Sequence, residues 1–174
     1  MIRVVHGSVV DSGCDAVVNA ANNQLLRGSG VCGAIFAAAG EELDNECAEI
    51  GWCDTGDAVI TGAYDLDTKY IIHTVGPVYE GHPRDGMLLS RCYTRCMDLA
   101  SMYHCDSIAF PCISCGIYGF PLEEACAIAV ESVKAWMHDH GDLDVFFYGY
   151  NGREYEVLYS LVSTQKSLGK TLTN

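Results

Sequence analysis

The stretch DAVVNAANNQLLRGSGVCGAIFAAAG, residues 15–40, joins three kinds of pattern in one segment. Residues 16–20, AVVNA, form a short β-branched run that reads as a buried strand. Asn19 stands near its end and Asn22 follows it, and then come Gly28, Gly30 and Gly33, which bracket Ser29, Val31 and Cys32 just before an alanine-rich helix. Glycines let consecutive backbone N–H groups turn toward one point, and a helix that follows adds its positive end, so such a loop suits an anion. A plain strand-to-helix turn is the simpler alternative. The asparagines add information: one amide after a buried strand can hold the loop internally while another bonds a sugar hydroxyl. Turn asparagines in left-handed conformations are the competing reading.

Similar strand runs recur at 2–5, 57–62, 69–75, 107–110 and 144–150. Between them Leu89, Cys92, Cys96, Leu99 and Tyr103 fall at helical spacing, as do Leu122, Cys126, Ala129, Val133 and Trp136. Strands apolar on both faces and linked by helices predict a mostly parallel or mixed sheet between helices, an α/β fold of three layers. Ligands in such sheets bind beyond the carboxyl ends of the strands.

One domain is expected for 174 residues, 49% of them hydrophobic and 19% charged. The polar tail from Ser163 is expected to fray. The net charge of −13 opposes nucleic-acid and anionic-membrane partners, so an anionic ligand must be held by local N–H groups. No leader and no apolar run near the ~20 residues of a membrane span is visible, which predicts a cytoplasmic protein. Ten cysteines within apolar patterns predict reduced thiols.

A second glycine-rich loop follows the strand at 107–110. In PCISCGIYGFP, Ser114, Gly116 and Gly119 surround Ile117 and Tyr118, and Pro121 takes the favoured first position of a helix. Cys112 and Cys115 form a C-x-x-C, which elsewhere marks zinc or a redox pair. No compact second pair completes a zinc site, so no metal and no cofactor are expected. His73, in IIHTV, reads as a core histidine. Arg27 is either a solvated loop tip or a contact for incoming substrate.

Residues 15–40, KYIIHTVGPVY and PCISCGIYGFPLEEA, with HGSVV at the start and FFYGYNGREY at the end, together resemble the macrodomain family of ADP-ribose-binding modules and hydrolases. The resemblance spans Ile2 to about Leu161 and implies a mixed six- or seven-stranded sheet with a cleft for ADP-ribose. It implies that Asn22 contacts the terminal ribose and that Gly30 and Val31 line the first phosphate loop. Ser114, Cys115, Gly116, Ile117 and Tyr118 would wrap the diphosphate, and Phe120 would pack on the terminal ribose. Tyr150 and Asn151 would flank the adenine, with Ser8 and the backbone near Val9 reading the base.

The chain departs from the family pattern at two positions. Ser8 stands where many members carry an aspartate that bonds the adenine amino group, and a neutral acceptor forfeits the charge assistance. Weaker adenine selectivity and tolerance of other bases are expected. Cys32 stands where the hydrolase branch has the aspartate of G-V-D-G, and a thiol with pKa near ~8.5 is a poor general base at neutral pH.

Three readings of Cys32 stay open: a packed bystander, a site where Asn22, the loop backbone and a ligand phosphate position water without a side-chain base, and a nucleophilic thiolate. Asn22 and Cys32 are thus the candidate catalytic residues. The expected function is ADP-ribose binding with hydrolysis of ADP-ribosyl linkages, either mono-ADP-ribose on acidic side chains or O-acetyl-ADP-ribose. The alternatives are a non-catalytic reader and a thiol or zinc redox protein. Expected partners are ADP-ribose, ADP-ribosylated proteins or O-acetyl-ADP-ribose, and a monomer is the default.

Overall fold

The computed structural model describes residues 1–171, with side chains through Thr164. Among them six strands form one mixed sheet: β1 (Ile2–His6), β2 (Ala16–Ala20), β3 (Ala58–Gly62), β4 (Tyr70–Thr74), β5 (Ser107–Phe110) and β6 (Asp144–Gly149). The spatial order is β1-β6-β5-β2-β4-β3, parallel except for the antiparallel β3–β4 edge. Five helices cover it: α1 (Gly30–Ala39), α2 (Glu41–Ile50), α3 (Pro83–Met102), α4 (Leu122–His140) and α5 (Gly152–Thr171). The expectation of a fraying tail from Ser163 falls largely outside the described side chains.

Alternation along the strands explains the layers. On β2, Ala16 and Val18 join Ile72, Ile108, Phe110, Val145 and Phe147 in a core shared with α3, α4 and Leu158 and Val162 of α5. Val17, Ile71 and Ala109 face the other way, onto Ile35, Phe36 and Ala39 of α1 and Leu43 and Cys47 of α2. Successive side chains point to opposite faces of a strand, so a run apolar at every position can only be buried on both sides. No helix among the described residues is long and apolar enough to cross a membrane.

Two boundaries differ from the sequence reading. Helix α1 begins at Gly30, so Val31, Cys32 and Gly33 belong to its first turn and not to a loop ahead of it. Pro121 is the residue before α4, extended at ψ 129°, and Leu122 is the first helical position. Tyr103, the last residue of the predicted α3 pattern, closes the helix and sets its ring edge-on to Tyr70 at 5.2 Å.

The connections place the site. β2 runs into α1 on one face, whereas β5 runs into α4 on the other. The crevice between their carboxyl ends is a topological switch point, where open α/β sheets bind ligands.

Candidate functional site

A cleft of about 930 Å³ opens at this switch point. The loop after β2 forms one wall. Asn22 closes it into a compact turn: Oδ1 accepts the Leu26 N–H at 2.9 Å and Nδ2 donates to the Leu26 carbonyl at 2.8 Å. Asn23 ties the same loop outward, donating to the Cys53 carbonyl at 2.9 Å. Both clamps leave Asn22 on the cleft wall with one amide hydrogen and one lone pair for a ligand. Its neighbour Asn19 does not reach the cleft. It is fully buried on β2, against His73.

Gly28, Ser29, Gly30, Val31 and Cys32 bring the N-terminus of α1 to the cleft. The first N–H groups of a helix have no intrahelical acceptor, and Ser29 supplies no side-chain cap, so these donors and the helix dipole face the open space. Gly33 allows the approach, since a Cβ there would stand 2.6 Å from the Gly28 carbonyl oxygen.

The opposite wall is the loop of Ser114, Cys115, Gly116, Ile117 and Tyr118. Ser114 takes a left-handed φ of 66° and Gly119 one of 72°. The turn bonds run from Gly119 N–H to the Gly116 carbonyl (3.0 Å) and from Phe120 N–H to the Ser114 carbonyl (2.9 Å), so the N–H groups of Cys115 to Tyr118 lie outside the turn's own bonds. Tyr118 is pinned by the Tyr79 N–H, which donates to its carbonyl at 2.8 Å. Two sets of backbone donors thus face each other across one crevice, an arrangement suited to a diphosphate.

Ser8, Tyr150 and Asn151 line the end of the cleft below β1 and β6. The Ser8 hydroxyl accepts the Val10 N–H at 3.4 Å, starting a 3-10 turn at Val9–Asp11. Asn151 Oδ1 accepts the Glu154 N–H at 2.9 Å at the start of α5. Tyr150 is 70% exposed, a ring free to stack on a planar group.

Val9 and Phe120 are not on the main cleft wall. Val9 is buried and lines a separate small recess beside it, while Phe120 is buried against the Tyr79 ring at 5.0 Å. A loop position next to the phosphate wall does not ensure access, because the apolar ring gains more by joining the core under Tyr79. Arg27 does not line the cleft and stays exposed on the loop. It bonds Asp44 of α2 at 2.8 Å and lies over the Phe36 ring at 5.5 Å.

Cys32 is 7% exposed at the inner end of the cleft. Its Sγ accepts from Asn19 Nδ2 and donates to the Leu26 carbonyl, each at 3.7 Å. Burial raises the thiol pKa, outweighing the Asn19 bond and the nearby Arg27 charge. A thiol held protonated and already donating to a carbonyl is a poor nucleophile.

Cys112 and Cys115 also line the cleft, and the Cys112 thiol, hydrogen-bonded with Cys115 and with Cys126 of α4, is pushed upward by those neighbours and by burial. Among the described residues no three His, Cys, Asp or Glu side chains gather as a metal site.

His73 is fully buried on β4, and burial pulls its pKa down to about 4. Gly76, Arg153 and Glu154 are among the wall residues that the sequence reading did not name. Gly76 lies within KYIIHTVGPVY but carries no side chain to flag a role, and Arg153 and Glu154 lie within a segment noted only for its aromatic residue and its asparagine. The signal available for the pair was charge, since among the described residues they are the only charged ones on the cleft wall.

Comparison with known proteins agrees with this geometry. The Macro domain family model matches residues 18–129. A macro domain-containing protein of Methanosarcina mazei is 51% identical over 137 residues, 78% of this chain and 73% of its own length. The ADP-ribose glycohydrolase MACROD1 of Mus musculus is 43% identical over 143 residues, 81% of this chain and 44% of that protein. The solved structure of the Oceanobacillus iheyensis macrodomain with ADP superposes with a TM-score of 0.90 at 34% identity, covering 94% of this chain and 90% of that one. The strand order, the paired backbone cradles at the switch point and the matched sequence agree: this chain belongs to the macro domain family.

Proposed function

We propose that the chain binds ADP-ribose in the cleft and hydrolyses ADP-ribosyl linkages, on acidic side chains or in O-acetyl-ADP-ribose. The observation that carries this reading is the pair of opposed N–H cradles, the start of α1 and the 114–118 loop, with Asn22 on one side and Tyr150 on the other. A chain of net charge −13 attracts no anion at long range, so a diphosphate is held by these local donors. The glycohydrolase MACROD1 and the ADP-bound bacterial macrodomain support the same ligand class.

Catalysis in this reading depends on position. Asn22 and the α1 backbone hold a water against the terminal ribose. Its oxygen attacks the anomeric carbon, the C1–O bond to the carboxylate breaks, the carboxylate leaves, and the water proton passes to a ligand phosphate oxygen. In O-acetyl-ADP-ribose the same water attacks the acetyl carbonyl carbon and gives its proton to the phosphate oxygen, the acyl C–O bond to the ribose breaks, the ribose oxygen leaves and takes up that proton, and acetate is released. Orientation alone supplies several kcal/mol toward either barrier. Cys32 takes no proton, because its thiol is the neutral partner of Asn19 and Leu26.

The alternative is a reader that binds without turnover, favoured by the thiol at the position where the family's hydrolases carry a carboxylate. Release of ADP-ribose from a protein mono-ADP-ribosylated on glutamate separates the two. Release that is lost in Asn22→Ala and kept in Cys32→Ala supports the positioned water. Binding with no release above the spontaneous rate establishes the reader.

A further inference from the structure

We propose that Glu154 selects the base of the bound nucleotide, making the site prefer a purine with an exocyclic amino group. This rests on the ADP-ribose reading of the cleft. The sheet order determines which end takes the base. The phosphate cradles sit over β5 and β2. Asn22 and Gly76 lie to the β4 side, and Ser8, Tyr150 and Glu154 lie to the side of β6 and β1. The second side carries the exposed aromatic ring, 70% accessible at Tyr150, on which a flat base can stack.

At that end a recess of about 30 Å³ opens between Ser8, Val9, Val31, Tyr148, Tyr150 and Glu154. A volume of that order holds a single water-sized group and no more. Glu154 lines both the recess and the main cleft, and Ser8 does the same, so a group entering the recess meets both residues at close range. Among the described residues Glu154 is the only carboxylate on the cleft wall. It forms no ion pair among the described residues, whereas its neighbour Arg153 bonds Glu123 at 3.2 Å. Its backbone is held in the first turn of α5 by the bond from its N–H to Asn151 Oδ1.

A lone carboxylate repels a diphosphate ligand, so its place in this cleft makes chemical sense opposite a hydrogen-bond donor. The amino group of adenine presents two hydrogens, one for a carboxylate oxygen and one for the Ser8 hydroxyl. The 6-oxo group of hypoxanthine presents lone pairs. Ser8 can answer either by rotating its hydrogen, but a carboxylate at Glu154 only accepts. The discrimination therefore sits on Glu154, and the acceptor that the β1 loop lacks at Ser8 is supplied from helix α5.

The test is calorimetric titration of the wild-type chain, Glu154→Gln and Ser8→Ala with ADP-ribose and with its hypoxanthine counterpart. The wild type should favour the adenine compound by about tenfold or more, the size of a hydrogen bond to a charged acceptor. Glu154→Gln, which keeps the shape but can also donate, should bring the two ligands to within about twofold, while Ser8→Ala keeps the preference. Equal binding of both ligands by the wild type, a preference that survives Glu154→Gln, or one that vanishes in Ser8→Ala overturns the assignment while leaving the ADP-ribose reading intact. Binding of neither ligand by the wild type overturns that reading, and the base assignment with it.

Discussion

Asn19 Nδ2 donates to His73 Nδ1 at 3.1 Å, across two neighbouring parallel strands on which the two residues are register partners. The direction of that bond follows from the other side of the ring. Thr61 Oγ1 gives its hydrogen to the Gly62 carbonyl at 3.0 Å, so the 2.9 Å contact with His73 Nε2 is an N–H donated to the hydroxyl. His73 is thus the Nε2–H tautomer and meets a donor at Nδ1. Protonation would set two donors against each other inside the core, in addition to the burial that already holds the pKa near about 4.

The pH dependence of stability follows. The folded pKa lies below that of the unfolded chain, so the unfolded state binds the extra proton and acidification destabilises the fold. The contribution of His73 is complete above about pH 6.5 and is lost as pH falls toward 4, a change on the order of 3 kcal/mol. Urea midpoints between pH 7 and 4.5 should fall for the wild type and be flatter for His73→Gln. Equal slopes would show that the histidine is charged in the folded state.

Cys32→Asp restores a carboxylate to the first turn of α1, where the helix dipole and Asn19 Nδ2 favour its ionised form. The rate of ADP-ribose release at neutral pH should rise on the order of 10²-fold, the lower range for a positioned general base. The variant's pH–rate profile should also gain a limb in the carboxylate range. An unchanged rate would show that proton removal from water does not limit the reaction.

Gly76→Ala introduces a methyl group that overlaps Ser114 Oγ and comes within 2.6 Å of Ile113 Cγ2. The phosphate loop must move to accommodate it. Overpacking of this kind destabilises by about 1–3 kcal/mol, and ADP-ribose affinity should fall with it. Thermal denaturation and titration of the same preparation check both effects; unaltered affinity would place the 114–118 loop outside the ligand contacts.

Ser114 has a buried hydroxyl with no hydrogen-bond partner among the described residues. Removing an unpaired buried hydroxyl removes a desolvation penalty, so Ser114→Ala should raise stability by about 1 kcal/mol in chemical denaturation. A loss of stability would indicate that the hydroxyl is paired in solution.

Much of the fold was legible in the amino-acid sequence because it is encoded locally. The runs at 16–20 and 107–110 are short, mostly apolar on both faces and bounded by turn residues, a pattern that fits a strand buried on both sides, and both strands fall at those residues. Glycines and polar residues after β2 and β5 marked the two loops that form the cleft, since a strand that must turn sharply into a helix shows it in composition. The family resemblance then pointed to Asn22, Gly30, Val31, Ser114 and Tyr150, all of which line the cleft.

What depends on distant partners was decided by tertiary structure. Asn19 and Asn22 sit three residues apart in similar surroundings of sequence, yet one is sealed between β2 and β4 and the other clamps a surface turn. The strand pairing makes that division. The chemical state of Cys32 depends on Asn19 and the Leu26 carbonyl folding around it, Arg27 is drawn from the loop tip to Asp44, and Phe120 turns into the core beneath Tyr79. Glu154 reaches the recess beside Ser8 only because β1 and β6 pair in register, bringing residues from opposite ends of the chain to one edge of the sheet. Local periodicity specifies which faces are buried. Only the pairing of strands specifies which side chains meet across them.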